Sequence, residues 1–76
     1  MFLPGDDVKW VISGEEGLGG WLYGRIKGCY PRGSGVYAGA INAYYVVRVE
    51  KIPYFTGDVG YLEYPIPLTN RTLQAA

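Results

Sequence analysis

Seventy-six residues, 49% of them hydrophobic, with seven basic and seven acidic side chains, describe one small domain (residues 1–76) with enough apolar material for a packed core. Cys29 stands alone and histidine is absent, which excludes an intrachain disulfide, a structural zinc site and an ordinary imidazole base for catalysis. The zero net charge lacks the basic excess that usually drives nucleic-acid binding.

A chain of this length buries only about 60% of its unfolded surface, so its stability is marginal. With disulfide and metal excluded, a second subunit is the remaining support, and a homo-oligomer or a protein partner is expected. Met1-Phe2-Leu3-Pro4 is too short and uncharged for a secretory leader, and no apolar run approaches a membrane span, so a cytoplasmic protein without a membrane partner is expected.

Glycine and proline punctuate the chain every eight to ten residues, the rhythm of short strands and turns, and no glycine-free window carries an apolar helical period. Pro4-Gly5-Asp6 is a turn that launches a first strand over Asp7–Ser13, where Val8, Trp10 and Ile12 alternate with Lys9 and Val11. Residues 14–20 (GEEGLGG) form a flexible acidic loop. The second strand is Trp21–Tyr30. Leu22, Gly24, Ile26 and Gly28 take one face; Trp21, Tyr23, Arg25, Lys27 and Cys29 take the other. Glycines on the inner face of a strand mark bends or close backbone approach, which a small barrel needs to close.

A second glycine-rich loop spans residues 31–39. Asn42–Glu50 is the clearest strand, with Tyr45, Val47 and Val49 opposed to Tyr44, Val46, Arg48 and Glu50. After the connection 51–58 (KIPYFTGD), a fourth strand runs Val59–Tyr64 with Leu62 inward. Two prolines make residues 65–68 a short 3₁₀ turn, and Thr69–Leu73 closes the domain as a fifth strand.

These features resemble the SH3-like barrel group: Pro4-Gly5-Asp6-Asp7-Val8-Lys9-Trp10, a long loop, Trp21-Leu22-Tyr23-Gly24-Arg25-Ile26, and Tyr45-Val46-Val47-Arg48-Val49. The resemblance implies an all-β, five-stranded barrel with a 3₁₀ turn before the last strand. Within that group the chain is similar to the small type II dihydrofolate reductases carried on plasmids and integrons. The similarity lies in the Gly-Asp-x-Val start and in Gly24-Arg25-Ile26-Lys27-Gly28-Cys29-Tyr30. It implies a tetrameric reductase with Tyr64 in its pore, and an origin on a mobile element. The family's Val-Gln-Ile-Tyr active-site run is not retained; the nearest match, Tyr61-Leu62-Glu63-Tyr64-Pro65, keeps the Tyr-Pro pair and lacks the glutamine.

No catalytic residue, cofactor or metal ligand is assigned from the sequence. Asp6 and Asp7 are adjacent and point to opposite faces of a strand; Glu15 and Glu16 lie on a solvated loop; Gly17-Leu18-Gly19-Gly20 lacks the Lys-Ser/Thr of a phosphate loop. Cys29 reads as a small hydrophobe. Binding fares better, because eight tyrosines and two tryptophans exceed what so small a core absorbs. The reading is a non-enzymatic interaction module that self-associates or binds a protein segment through Trp21, Tyr23, Tyr37, Tyr44 and Tyr54. The alternatives are a nucleic-acid contact through Arg25, Lys27, Arg32 and Arg48, disfavoured by the zero net charge, and the type II reductase-like enzyme. Arg25 is expected to make a cation–π contact with the aromatics of its face.

Overall fold

The computed structural model describes residues 1–11, 20–35, 37, 39–52, 57–60 and 62–76, and the fold is built from these. Five strands form one antiparallel sheet: β1 (Asp7–Trp10), β2 (Leu22–Tyr30), β3 (Tyr44–Lys51), β4 (Glu63–Pro67) and β5 (Gln74–Ala75). Their order across the sheet is β4-β3-β2-β1-β5. Most of the expected acidic loop 14–20 and part of the connection 51–58 lie outside the described residues.

The turn before β1 follows from its residues. Asp6 N–H donates to Leu3 O across Pro4-Gly5, and the Asp6 carboxylate accepts from Leu3 N–H. Proline followed by a glycine at φ 95° is the pairing a type II turn requires. Along β1, Val8 and Trp10 are buried while Asp7 is exposed and Lys9 half-buried. The same alternation runs through Leu22, Gly24 and Ile26 of β2, and through Tyr45, Val47 and Val49 of β3. These inward residues, with Val59 and Ile66, form one apolar cluster, against which Phe2, Ile52 and Leu73 pack.

The sheet is not closed into a barrel; β4 and β5 remain as edges. It does curl over its apolar face. Trp10 of β1 stacks on Tyr64 of β4 with ring centroids 6.5 Å apart, although three strand spacings in a flat sheet are about 14 Å. The pairing of β2 with β3 slips at Tyr23/Gly24 and again at Ile26/Gly28. Such bulges increase local twist and bend a strand. At Gly24 the backbones also approach closely: a Cβ there would lie 2.5 Å from Val47 Cγ1 and 2.6 Å from Arg48 O.

The second slip changes the expected faces. Lys27 is the extra residue, so Gly28 pairs with Val46 and Cys29 with Tyr45. A one-residue insertion reverses which side the rest of a strand presents. Cys29 therefore leaves the face of Trp21 and Arg25 for the side of Tyr45, where it lies exposed near the end of β2.

The C-terminal elements also differ from expectation. The strand includes both prolines of Glu63–Pro67, and the 3₁₀ turn is not found. Val49 N–H donates to Leu62 O and Leu68 N–H to Ala43 O. Bonded pairs alternate in an antiparallel ladder, so with this register Tyr64 and Ile66 bond to β3 while Pro65 and Pro67 face away from it. Proline is compatible with an edge strand in that position, where no donor is needed. Two turns follow, one closed by Asn70 N–H to Pro67 O and one by Thr72 N–H to the Asn70 side chain. The last strand then forms at Gln74–Ala75 rather than 69–73.

Candidate functional site

The side of the sheet opposite the apolar cluster is its outer face, and it divides into two halves. In the first, Tyr30 and Tyr44 pair across β2 and β3, stacked at 5.7 Å, and Tyr37 meets Tyr44 edge-on at 5.8 Å. The Tyr44 hydroxyl donates to Ser34 O (2.5 Å) and accepts from Tyr37 N–H (3.1 Å). The Tyr37 hydroxyl donates to Glu63 O on β4 at 3.3 Å. Gly35, at φ 76°, passes so near that a Cβ would lie 2.6 Å from the Tyr44 hydroxyl. The β2–β3 connection thus folds down over Tyr44, which is only 1% exposed.

The second half is open in the sense that no described loop is hydrogen-bonded over it, and its Trp21 and Tyr23 are half-buried. Tyr23 of β2 lies between Lys9 of β1 and Lys51 of β3 in register. The Lys9 ammonium sits over the Trp21 ring, 4.7 Å from its centroid, and that of Lys51 over the Tyr23 ring at 5.7 Å. The next row reads Asp7, Arg25, Arg48, Glu63 from β1 to β4. Arg25 pairs with Asp7 at 3.2 Å and Arg48 with Glu63 at 3.1 Å. The hydrogen bond that Arg25 donates to Asp7, then the charge of Asp7, then that of Glu50, raises the pKa of the Arg25 guanidinium above its ordinary value. Two arginines directly opposed on adjacent strands repel; each is accompanied by its own carboxylate.

This geometry sorts the sequence-predicted residues. Trp21, Tyr23, Arg25 and Arg48 share the open half, with exposed Lys27 at the bulge beside them. Tyr37 and Tyr44 belong to the covered half, where Tyr44 is a packing residue with both sides of its hydroxyl used. Arg32 is exposed in the turn after β2, and Tyr54 lies outside the described residues. Tyr64, the position singled out by the reductase resemblance, is on the apolar side of β4, 44% exposed and stacked on Trp10.

Lys9 and Lys51 were not among the sequence candidates. The signal for them is cross-strand register, which places each beside Tyr23 and which one strand's alternation does not reveal. For the same reason the cation–π partners of Trp21 and Tyr23 are lysines, whereas Arg25 turns to Asp7. Among the described residues the outer face collects five basic side chains (Lys9, Arg25, Lys27, Arg48, Lys51) against three acidic ones (Asp7, Glu50, Glu63). Five against three is a local excess of two positive charges in a chain with none overall.

No family model, no curated protein and no solved structure matches the chain.

Proposed function

We propose that the chain is a non-enzymatic binding module on an SH3-like sheet that curls without closing, and that it presents the open half of its outer face to a partner. The observation that carries this reading is the pair Trp21 and Tyr23, half-buried side by side on that face with a lysine ammonium over each ring. Tryptophan and tyrosine are enriched at binding surfaces and among the residues that carry their affinity. The SH3-like architecture is supported by the strand order and by the curl that stacks Trp10 on Tyr64.

The test is a panel of ¹⁵N–¹H spectra. The protein is titrated with a proline-rich peptide, an acidic peptide, a thymidine oligonucleotide and, by raising its own concentration, a second copy. Shift changes centred on Lys9, Trp21, Tyr23 and Lys51 with at least one of the four support the reading. An unchanged face with all four refutes it.

Self-association is a second reading, favoured by the exposure of Met1 (97%), Leu3 (63%) and Ile41 (77%), far above that of the core aliphatics. Sedimentation equilibrium reads it directly, and a strictly monomeric mass at millimolar protein removes it.

A further inference from the structure

We propose that the partner of the open half is single-stranded nucleic acid, with successive bases stacking on Trp21 and Tyr23 and phosphates taken by Lys9, Lys51 and Lys27; this rests on the binding-module reading above. Four features point the same way.

Trp21 and Tyr23 are two residues apart on one side of the chain, so their rings are offset by about 6.6 Å along β2. That is roughly one extended sugar–phosphate repeat, which lets neighbouring bases occupy neighbouring rings. Each ring also has its own ammonium, Lys9 at Trp21 and Lys51 at Tyr23. Among the described residues neither lysine is in a salt bridge, whereas Arg25 and Arg48 both are. A cation over an exposed ring is held weakly. An incoming base therefore takes over the ring face, and the ammonium swings on its flexible stem to the phosphate of the same nucleotide.

The competing ligands use only part of this arrangement. An acidic peptide satisfies the lysines and leaves both rings without a stacking partner. A proline-rich peptide covers the rings and leaves the cations unanswered. A single strand uses both, since every base has a stacking face and every nucleotide a charge.

The charge distribution also selects single strand over duplex. Asp7, Glu50 and Glu63 share the face with the cations. The excess of two charges is modest, so binding depends on stacking, and paired bases in a duplex cannot supply it.

Binding of a fluorescein-labelled ten-nucleotide oligothymidylate is measured by anisotropy across 20 to 200 mM NaCl. With two to three phosphates neutralised, the log–log salt slope is about −1.4 to −2.1. Affinity then falls about 25- to 125-fold across that range. Trp21→Ala with Tyr23→Ala removes at least tenfold of the affinity at 20 mM salt. Lys9→Gln with Lys51→Gln, substitutions that spare the core, lowers the slope by about one or more. Arg32→Gln, in the turn past the far end of β2, changes neither. A hairpin duplex of the same charge binds more weakly than the single strand.

Absence of oligothymidylate binding at 20 mM salt overturns the proposal, as does binding that ignores the Lys9/Lys51 change. If a polyglutamate peptide shifts the same resonances while the oligonucleotide does not, the nucleic-acid inference fails and the binding module stands. If the oligonucleotide, both peptides and a second copy all leave the face unchanged, both fail together.

Discussion

Alanine at Gly24 tests the packing on which the curled sheet depends. The added methyl would sit 2.5 Å from Val47 Cγ1, 2.6 Å from Arg48 O and 3.2 Å from Trp10 Cζ3. Apolar contacts are optimal near 3.5–4.0 Å, so the first two overlaps are about 1 Å each. Neither neighbour yields easily: Val47 is fully buried, and the other atom is a carbonyl of the paired strand. Overpacking of this kind costs about 1–3 kcal/mol, toward the upper end where backbone must move. A domain of this length has about 4–11 kcal/mol in total, and 1 kcal/mol moves its melting temperature by about 4–8 °C. Gly24→Ala is therefore expected to lower Tm by about 10–20 °C in a circular-dichroism melt. Two other glycines calibrate the result. Gly5→Ala meets no atom within 4 Å but requires φ 95°, a strain of about 1–2 kcal/mol. Gly39→Ala has open space and no such φ, and is nearly neutral. If Gly24→Ala melts within about 3 °C of the parent, the close approach of β2 and β3 is wrong.

Tyr44→Phe removes an acceptor from Tyr37 N–H and a donor to Ser34 O; it is expected to cost about 1–3 kcal/mol in urea titration and to speed hydrogen exchange at the Tyr37 amide. Replacing both Pro65 and Pro67 by valine restores two outward donors on the β4 edge; concentration-dependent association in sedimentation is expected, with little change in monomer stability. A double-mutant cycle on Arg48 and Glu63, whose side chains are 49% and 39% exposed, should give a coupling below about 1 kcal/mol that shrinks with added salt. Trp10→Phe discards a buried indole N–H that has no hydrogen-bond partner; its cost should stay under about 2 kcal/mol, short of the 3–5 kcal/mol of a tryptophan-to-alanine change.

The all-β class and the inward residues of the first three strands were legible from the alternation of Val8/Trp10, Leu22/Gly24/Ile26 and Tyr45/Val47/Val49, because burial of one face imposes a period of two. What was not legible depends on partners. The bulge at Lys27 is a property of β2 and β3 together, so reading β2 alone carried its alternation through to Cys29 and put that thiol on the wrong side. Proline reads as a strand breaker until an edge position, also a property of the whole sheet, removes the need for its donor. The candidate site follows the same division. Trp21, Tyr23, Arg25 and Arg48 were found from their own strands, whereas Lys9 and Lys51 required the register that sets them beside Tyr23.

The surplus of aromatic residues has two different outcomes, and β3 shows why. From Tyr44 to Val47 four successive residues are buried, so both faces of the strand are covered there; from Arg48 onward only Val49 is buried. The change coincides with the reach of the β2–β3 connection. That connection is fastened by Ser34 and Tyr37 to the Tyr44 hydroxyl, and by Tyr37 to Glu63 O. A tyrosine suits this work because its ring fills space while its hydroxyl satisfies backbone groups that a loop lying on a sheet would otherwise leave unpaired. Tyr37 and Tyr44 are thereby committed to a second, smaller layer of packing, on whose rim Tyr30 stacks and stays exposed. Trp21 and Tyr23 lie beyond it, and what approaches their faces is lysine, a side chain that swings away at little cost. The two halves thus hold their rings by different means, hydroxyl-bonded packing in the one and lysine contact in the other.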